Sequence, residues 1–156
     1  IIGVDIAPSK LEWAKTFGAT DTVDAREGDP VEAIRRLTDG LGVDFAFEAV
    51  GTPQAVEQTI ASCDIAGTAV LIGVPAQNSQ ITLPLARVFF NRGRLRATSY
   101  GDIVARRDFP LFASLYERGD LALDKMVSER IGLDDVEDAF AAMQRGETIR
   151  SVIVFD

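Results

Sequence analysis

Thr68-Ala69-Val70-Leu71-Ile72 is an uncharged, β-rich run closed by Gly73, and its reading decides the fold. A strand with one wet face alternates apolar and polar residues, whereas a continuous apolar run is covered on both faces, as in parallel sheets. Parallel neighbours need a crossover between them, usually a helix, so helical segments should separate the strands. Upstream they do. Thr52-Pro53 sets a capping hydroxyl before a proline at the first helical position, and the pattern predicts a helix from there to about residue 63. Residues 43–50 form another β-rich run, ending at Gly51. Asp29-Pro30-Val31-Glu32 repeats the start signal with a capping-box acid; Val31, Ile34 and Leu37 give that helix an apolar face, and Gly40 ends it. Residues 20–24 read as a short strand. Before them, Leu11, Ala14 and Phe17 follow Pro8-Ser9-Lys10 at helical spacing and stop at Gly18. The chain opens on Ile1-Ile2-Gly3-Val4-Asp5, a strand from its first residue.

Downstream of Pro75 the rhythm loosens. Gln80-Ile81-Thr82-Leu83 reads as a short strand, residues 85–91 as a helix and residues 94–100 as a strand; Asp102 is placed to cap a long helix ending at Gly119. A short extended piece is expected around residues 127–131, a helix over 134–145 and a closing strand over 151–155. No internal repeat or linker marks a boundary. The expectation is an α/β fold, a doubly wound parallel sheet occupying residues 1–156 as one domain with a C-terminal extension, its ligand outside the carboxyl ends of the strands.

Composition narrows the chemistry. A net charge of −8 with a pI near 4.6 repels phosphodiester backbones and anionic membranes. Arg92, Arg94 and Arg96 flank a strand as an exposed edge rather than a groove, so neither nucleic acid nor membrane is an expected partner. Cys63 is the single cysteine, which fits a reducing, cytoplasmic setting. The chain has no histidine, so no imidazole serves as base, metal ligand or nucleophile partner.

Asp5 ends the first strand. In dinucleotide-binding sheets an acid at the end of the second strand accepts from the adenosine ribose hydroxyls, about 20 residues after a glycine fingerprint. Four residues precede Asp5, so that first strand and its glycine loop would lie before residue 1. The only G-x-G here, Gly40 and Gly42, reads as a helix cap and turn. An acid at this place repels a 2′-phosphate and no arginine follows closely, which favours NAD over NADP. Lys10 reads equally as a ribose contact or a surface lysine. Gly51 and Gly73, each just past a strand, either let a flat ligand approach the backbone or merely permit a turn. Asp44 and Glu48 share a strand face; with nothing to complete an acid/base set, they are expected to be solvent-exposed or in a local ion pair.

Taken together, the opening strand and helix, the run Val43-Asp44-Phe45-Ala46-Phe47-Glu48-Ala49-Val50-Gly51, the turn Leu71-Ile72-Gly73-Val74-Pro75 and the ending Arg145-Gly146-Glu147-Thr148-Ile149-Arg150-Ser151 resemble the medium-chain zinc-dependent alcohol dehydrogenases, over nearly the whole chain. Tyr100-Gly101-Asp102, Arg107-Asp108-Phe109-Pro110 and Leu123-Asp124-Lys125 are most similar to the mycothiol-dependent formaldehyde dehydrogenase branch. The resemblance implies a Rossmann-type sheet binding NAD. It puts Asp5 and Lys10 on the adenosine ribose, Ile6 and Val50 on either side of adenine, and the backbone of Ile72, Thr98 and Tyr100 on the nicotinamide carboxamide. Gly73 and Val74 would lie against the nicotinamide ribose and ring, and Arg150 would pair with the pyrophosphate, unless Glu147 holds it in a surface ion pair. Catalytic and structural zinc sites would belong to a catalytic domain preceding residue 1, so zinc is expected in an intact parent only and this chain alone should be inactive. The resemblance also implies a homo-oligomer joined through Gln80-Ile81-Thr82-Leu83 and Leu95-Arg96-Ala97-Thr98-Ser99-Tyr100.

The implied activity of the parent is hydride transfer between NAD and a primary alcohol or a thiol-adduct alcohol. Two other classes stay open. A methyltransferase that binds S-adenosylmethionine also ends its second strand on a ribose-holding acid, though the expected antiparallel finish is missing after Gly73. A non-catalytic nucleotide-binding or assembly module is compatible with the lack of histidine.

Overall fold

The computed structural model describes residues 1–155. Its first unit is β1 (Ile2–Asp5), α1 (Pro8–Thr16) and β2 (Asp21–Asp24), with the two strands parallel and in register from Ile2↔Asp21 to Asp5↔Asp24. Helix α1 buries Leu11 and packs along both strands. Helix α2 (Pro30–Leu37) starts where Asp29 Oδ1 accepts the Val31 amide at 2.9 Å. No bond returns from Glu32, so the expected capping box is half made. In α3 (Pro53–Ser62) the Thr52 hydroxyl oxygen accepts the Ala55 amide at 3.3 Å. These caps fix where each helix begins, because the first turn has amides with no partner inside the helix.

Helices α2 and α3 lie side by side, and α3 covers β3 (Val43–Glu48) and β4 (Cys63–Leu71). Strand β4 is longer than its sequence suggests. It begins directly at the end of α3, and the register slips between Val43 and Phe45, with Ala66 at φ +62°. After α4 (Leu85–Asn91), β5 (Arg94–Ala97) pairs on the far side of β4, giving the parallel order β3-β4-β5. Glu48, Leu71 and Ala97 are register partners, so the three strands deliver their carboxyl ends to one rim.

The remaining chain holds α5 (Ala105–Glu117), β6 (Glu129–Ile131), α6 (Val136–Gln144) and β7 (Ser151–Ile153). Strands β6 and β7 form their own parallel pair. Every pairing is thus parallel, as the apolar run at 68–72 predicts, but the hydrogen bonds divide the strands into three ribbons, β1-β2, β3-β4-β5 and β6-β7. The buried apolar side chains, Leu11, Val23, Ile34, Val56, Cys63 and Ala69, all belong to the first two ribbons and their helices.

Several expectations need correction. Residues 80–83 form no strand; the Thr82 amide donates instead to Glu57 Oε1 on α3 at 2.8 Å, and no strand among the described residues pairs with this stretch. The strand expected to reach residue 100 stops at Ala97, because Tyr100, Gly101 and Asp102 turn with φ of +51°, +70° and +52°. Asp102 does not cap α5. Asp108 does so from inside the helix, its Oδ2 accepting the Val104 amide at 2.7 Å. The bonded Arg107 guanidinium, with that amide, holds the Asp108 carboxyl below the usual carboxylate range. Helix α6 starts at Val136 after a short turn, and β7 ends at Ile153.

Candidate functional site

Strand β1 ends on Asp5, in register with Asp24 at the end of β2. Two carboxylates side by side repel, and the sequence resolves this locally. Arg26 grips Asp24 through Nε and Nη2, at 3.0 and 2.5 Å, and that hydrogen-bonded guanidinium holds the Asp24 carboxyl down at about 2. Asp5 makes no ion pair among the described residues, and its Oδ1 accepts only the Ala7 amide, at 2.9 Å. One acid of the pair is therefore satisfied by its own loop while the other keeps acceptor capacity at the strand end. Ile6 is exposed next to it.

Lys10 is half-buried in the first turn of α1, where its amide donates to the Ala7 carbonyl at 3.0 Å while its Nζ has no hydrogen-bond partner among the described residues. Its Cε lies 3.8 Å from where a β-carbon on Gly146 would stand, so the first ribbon's helix touches the connection between α6 and β7 at this point. Arg150 follows in that connection, exposed. The ion pair with Glu147 does not form, since Arg145 takes that carboxylate at 2.8 Å.

The second group sits at the rim of β3, β4 and β5. Gly51 is buried at φ +83°, a left-handed value that favours glycine, and the carbonyl oxygen of Val74 would lie 2.5 Å from a β-carbon there. Gly73 has still less room. A β-carbon would meet the Gly51 amide nitrogen, and Glu48 Oε2 and the Val50 carbonyl carbon at 2.8 Å each. The turns after β3 and β4 are thus pressed together backbone to backbone, and both glycines are required for that approach. Around them the apolar side chains of Val50, Ile72 and Val74 face outward, Val74 at 89% exposure. Thr98 continues the rim, its amide donating to the Leu71 carbonyl at 3.0 Å and its buried Oγ1 left without a partner among the described residues. Tyr100 is 95% exposed on the left-handed turn that follows.

The structure therefore brings Val50, Gly51, Ile72, Gly73, Val74 and Thr98 to one rim with Tyr100 two residues beyond. It gathers Asp5, Ile6 and Lys10 at the end of the β1-β2 ribbon and leaves Arg150 on the third ribbon, beyond the Lys10 and Gly146 contact. The sequence puts Glu48 in solvent or in an ion pair, and the structure overturns this: it is 2% exposed and makes no ion pair among the described residues. Asp44, by contrast, is exposed. A signal for Glu48 was present, namely a carboxylate inside Phe45-Ala46-Phe47-Glu48-Ala49-Val50, two and three residues before amides of a glycine turn.

An exposed apolar lip over two crowded glycine turns fits a flat ring and a ribose lying against the backbone, and the uncommitted carboxylate of Asp5 fits a diol; both are features of a dinucleotide. Zinc does not fit these residues. Among them no group of three or more His, Cys, Asp or Glu side chains is placed to hold a metal ion.

Comparison with known proteins agrees with this geometry. Residues 1–118 match the family model described as zinc-binding dehydrogenase. The chain belongs to that family. Alcohol dehydrogenase 1 of Trifolium repens is 38% identical over 98% of the chain, which spans 40% of that relative. Among solved structures of similar fold, benzyl alcohol dehydrogenase of Acinetobacter calcoaceticus superposes with a TM-score of 0.95 at 28% identity, covering all of this chain and 42% of its own. A protein of Sinorhizobium meliloti 1021 described as a zinc-binding dehydrogenase and bound to NADP superposes at 0.79 with 31% identity, over 90% of this chain and 40% of its own. The chain thus spans about two fifths of the length of these relatives, and its parallel α/β fold superposes on the matched part of the solved ones.

Proposed function

We propose that this chain supplies the NAD-holding part of an oxidoreductase that moves hydride between NAD and a primary alcohol or a thiol-adduct alcohol. The observation that carries the reading is Asp5, a strand-end carboxylate with no ion pair beside an Asp24 already satisfied by Arg26. In this reading Asp5 and Lys10 take the adenosine ribose, and Ile6 and Val50 enclose adenine. Ile72, Thr98 and Tyr100 offer backbone groups to the carboxamide, Gly51, Gly73 and Val74 support the ribose and the ring, and Arg150 meets the pyrophosphate. The bound dinucleotide would supply the hydride chemistry, while these residues bind and orient it.

The preference for NAD over NADP follows from charge. Asp5 repels a 2′-phosphate, and the one nearby guanidinium, Arg26, is occupied by Asp24. Zinc, if the intact polypeptide holds it, is assigned to other segments, and the intact polypeptide to the cytoplasm. The thiol-adduct substrate is supported by the Tyr100-Gly101-Asp102 and Leu123-Asp124-Lys125 stretches. A second copy of the chain is the proposed partner at the free edge of β5, where Leu95 is exposed and Phe89 and Phe90 of α4 are 74% and 71% exposed.

Titration calorimetry with NAD and NADP tests the reading. The wild-type protein is expected to bind NAD more tightly, and Asp5→Ala to weaken NAD about tenfold while leaving NADP nearly unchanged, by loss of a charge-assisted bond to the diol. Equal or tighter binding of NADP by the wild type overturns the role given to Asp5.

A further inference from the structure

We infer that Glu48 is the positioning residue that couples the adenine end of the cofactor site to its nicotinamide end; this rests on the NAD reading above. The side chain is buried at the carboxyl end of β3. Its Oε1 accepts both the Val50 and the Gly51 amides at 2.7 Å, which folds the turn after β3 back onto the strand. Its main-chain carbonyl accepts the Ile72 and Gly73 amides at 2.7 and 3.0 Å, which ties the turn after β4 to the same point. One residue therefore receives four amides, two from each turn. Its second carboxylate oxygen, Oε2, is buried without a partner among the described residues and stands 2.8 Å from where a Gly73 β-carbon would be.

Leaving a carboxylate oxygen buried and unpaired is costly, and the fold bears that cost where an apolar residue would pack without it. What only the carboxyl group provides here is the acceptor for two consecutive amides. With it in place, Val50 and Val74 are held at a set separation, because the turns that carry them share one anchor. Without it, the buried Gly51 amide and the part-buried Val50 amide lose their partner, the end of β3 loosens, and the Ile72 and Gly73 bonds to its carbonyl loosen with it. A ligand that touches one turn tolerates this. A ligand that must span both does not.

The experiment compares wild-type protein, Glu48→Ala and Glu48→Gln by calorimetry with NAD and with adenosine monophosphate, together with amide hydrogen exchange at Val50, Gly51 and Gly73. Glu48→Gln keeps an acceptor at the Oε1 position and is expected to bind NAD within threefold of wild type, with Gly51 exchange unchanged. Glu48→Ala is expected to weaken NAD at least tenfold and adenosine monophosphate less than threefold, with exchange faster at Val50 and Gly51 and, to a smaller degree, at Gly73. Unchanged NAD affinity in Glu48→Ala, equal losses for both ligands, or Gly73 exchange unmoved while Gly51 accelerates would each overturn the coupling. Should Glu48→Ala not fold, a Glu48→Gln protein that binds NAD as weakly as it binds adenosine monophosphate overturns it, and one that binds like wild type supports it. Absence of NAD binding by the wild type removes the function reading itself, and the exchange data then report on the anchor alone.

Discussion

Residues 1–97 and residues 103–155 are both built from parallel strands and helices, yet they bury their side chains very differently. The first region contains all six buried apolar residues, from Leu11 to Ala69. In the second the one buried residue is a charged one, Asp108. The reason is layering. In the first region helices α2 and α3 pack on each other and over the strands, so side chains are covered by two elements at once. In the second, β6, α6 and β7 form a single crossover unit, and Phe109, Phe112, Phe140 and Met143 remain exposed between 42% and 62%. The same local pattern therefore yields a core in one place and an uncovered apolar face in the other.

The largest test of that contrast is a truncation in each region. Ile34→Ala, in the buried face of α2, is expected to cost about 3 kcal/mol in urea denaturation, and Phe140→Ala, on exposed α6, less than about 0.5. Comparable losses at the two positions would show that the second region is covered after all. Glycine replacements give a smaller, sharper comparison. Gly73→Ala forces a β-carbon onto the turn after β3 and is expected to cost about 2 kcal/mol. Gly132→Ala, which meets only Asp135 Oδ2 at 3.3 Å, should cost less than about 0.5, both read by the urea midpoint.

The smallest effect is a titration confined to the first region. Because the Asp24 carboxyl is depressed from 3.8 to about 2 by Arg26, its contribution to stability is complete well above pH 3.8 and is lost progressively as pH falls from there through about 2. Arg26→Ala should move the Asp24 midpoint, followed by carbon-13 NMR, back up toward 3.8. A midpoint unchanged by the substitution would assign the depression to the backbone amide of residue 26 instead.

How much of this was legible beforehand divides along physical lines. Helix starts were readable because Asp29-Pro30 and Thr52-Pro53 act on amides two or three residues away, and the parallel sheet because burial on both faces removes alternation from residues 68–72. Features that depend on distant partners were not. The run at 80–83 has strand composition, but its amide at Thr82 was claimed by Glu57, 25 residues away. Asp102 looked like a cap because it precedes the helix, whereas Asp108 caps from four residues inside it, a direction that spacing alone does not rank. Of the candidate site, the sequence marks Gly51 and Gly73 as turns after strands and Asp5 as a strand-end acid, which is where the structure has them. The burial of Glu48 is not legible, since an acid in a strand defaults to solvent unless the amides of Val50 and Gly51 are known to converge on its side chain.

The pairing of Arg145 with Glu147 leaves Arg150 without an ion pair among the described residues, on a molecule of net charge −8. On the proposed reading, NAD approaching from bulk solvent with its dianionic pyrophosphate would feel repulsion first and this local attraction last. Added electrolyte would then work in opposite senses at the two distances, easing the approach while diluting the final grip, so capture would be best at an intermediate ionic strength rather than in the most dilute buffer.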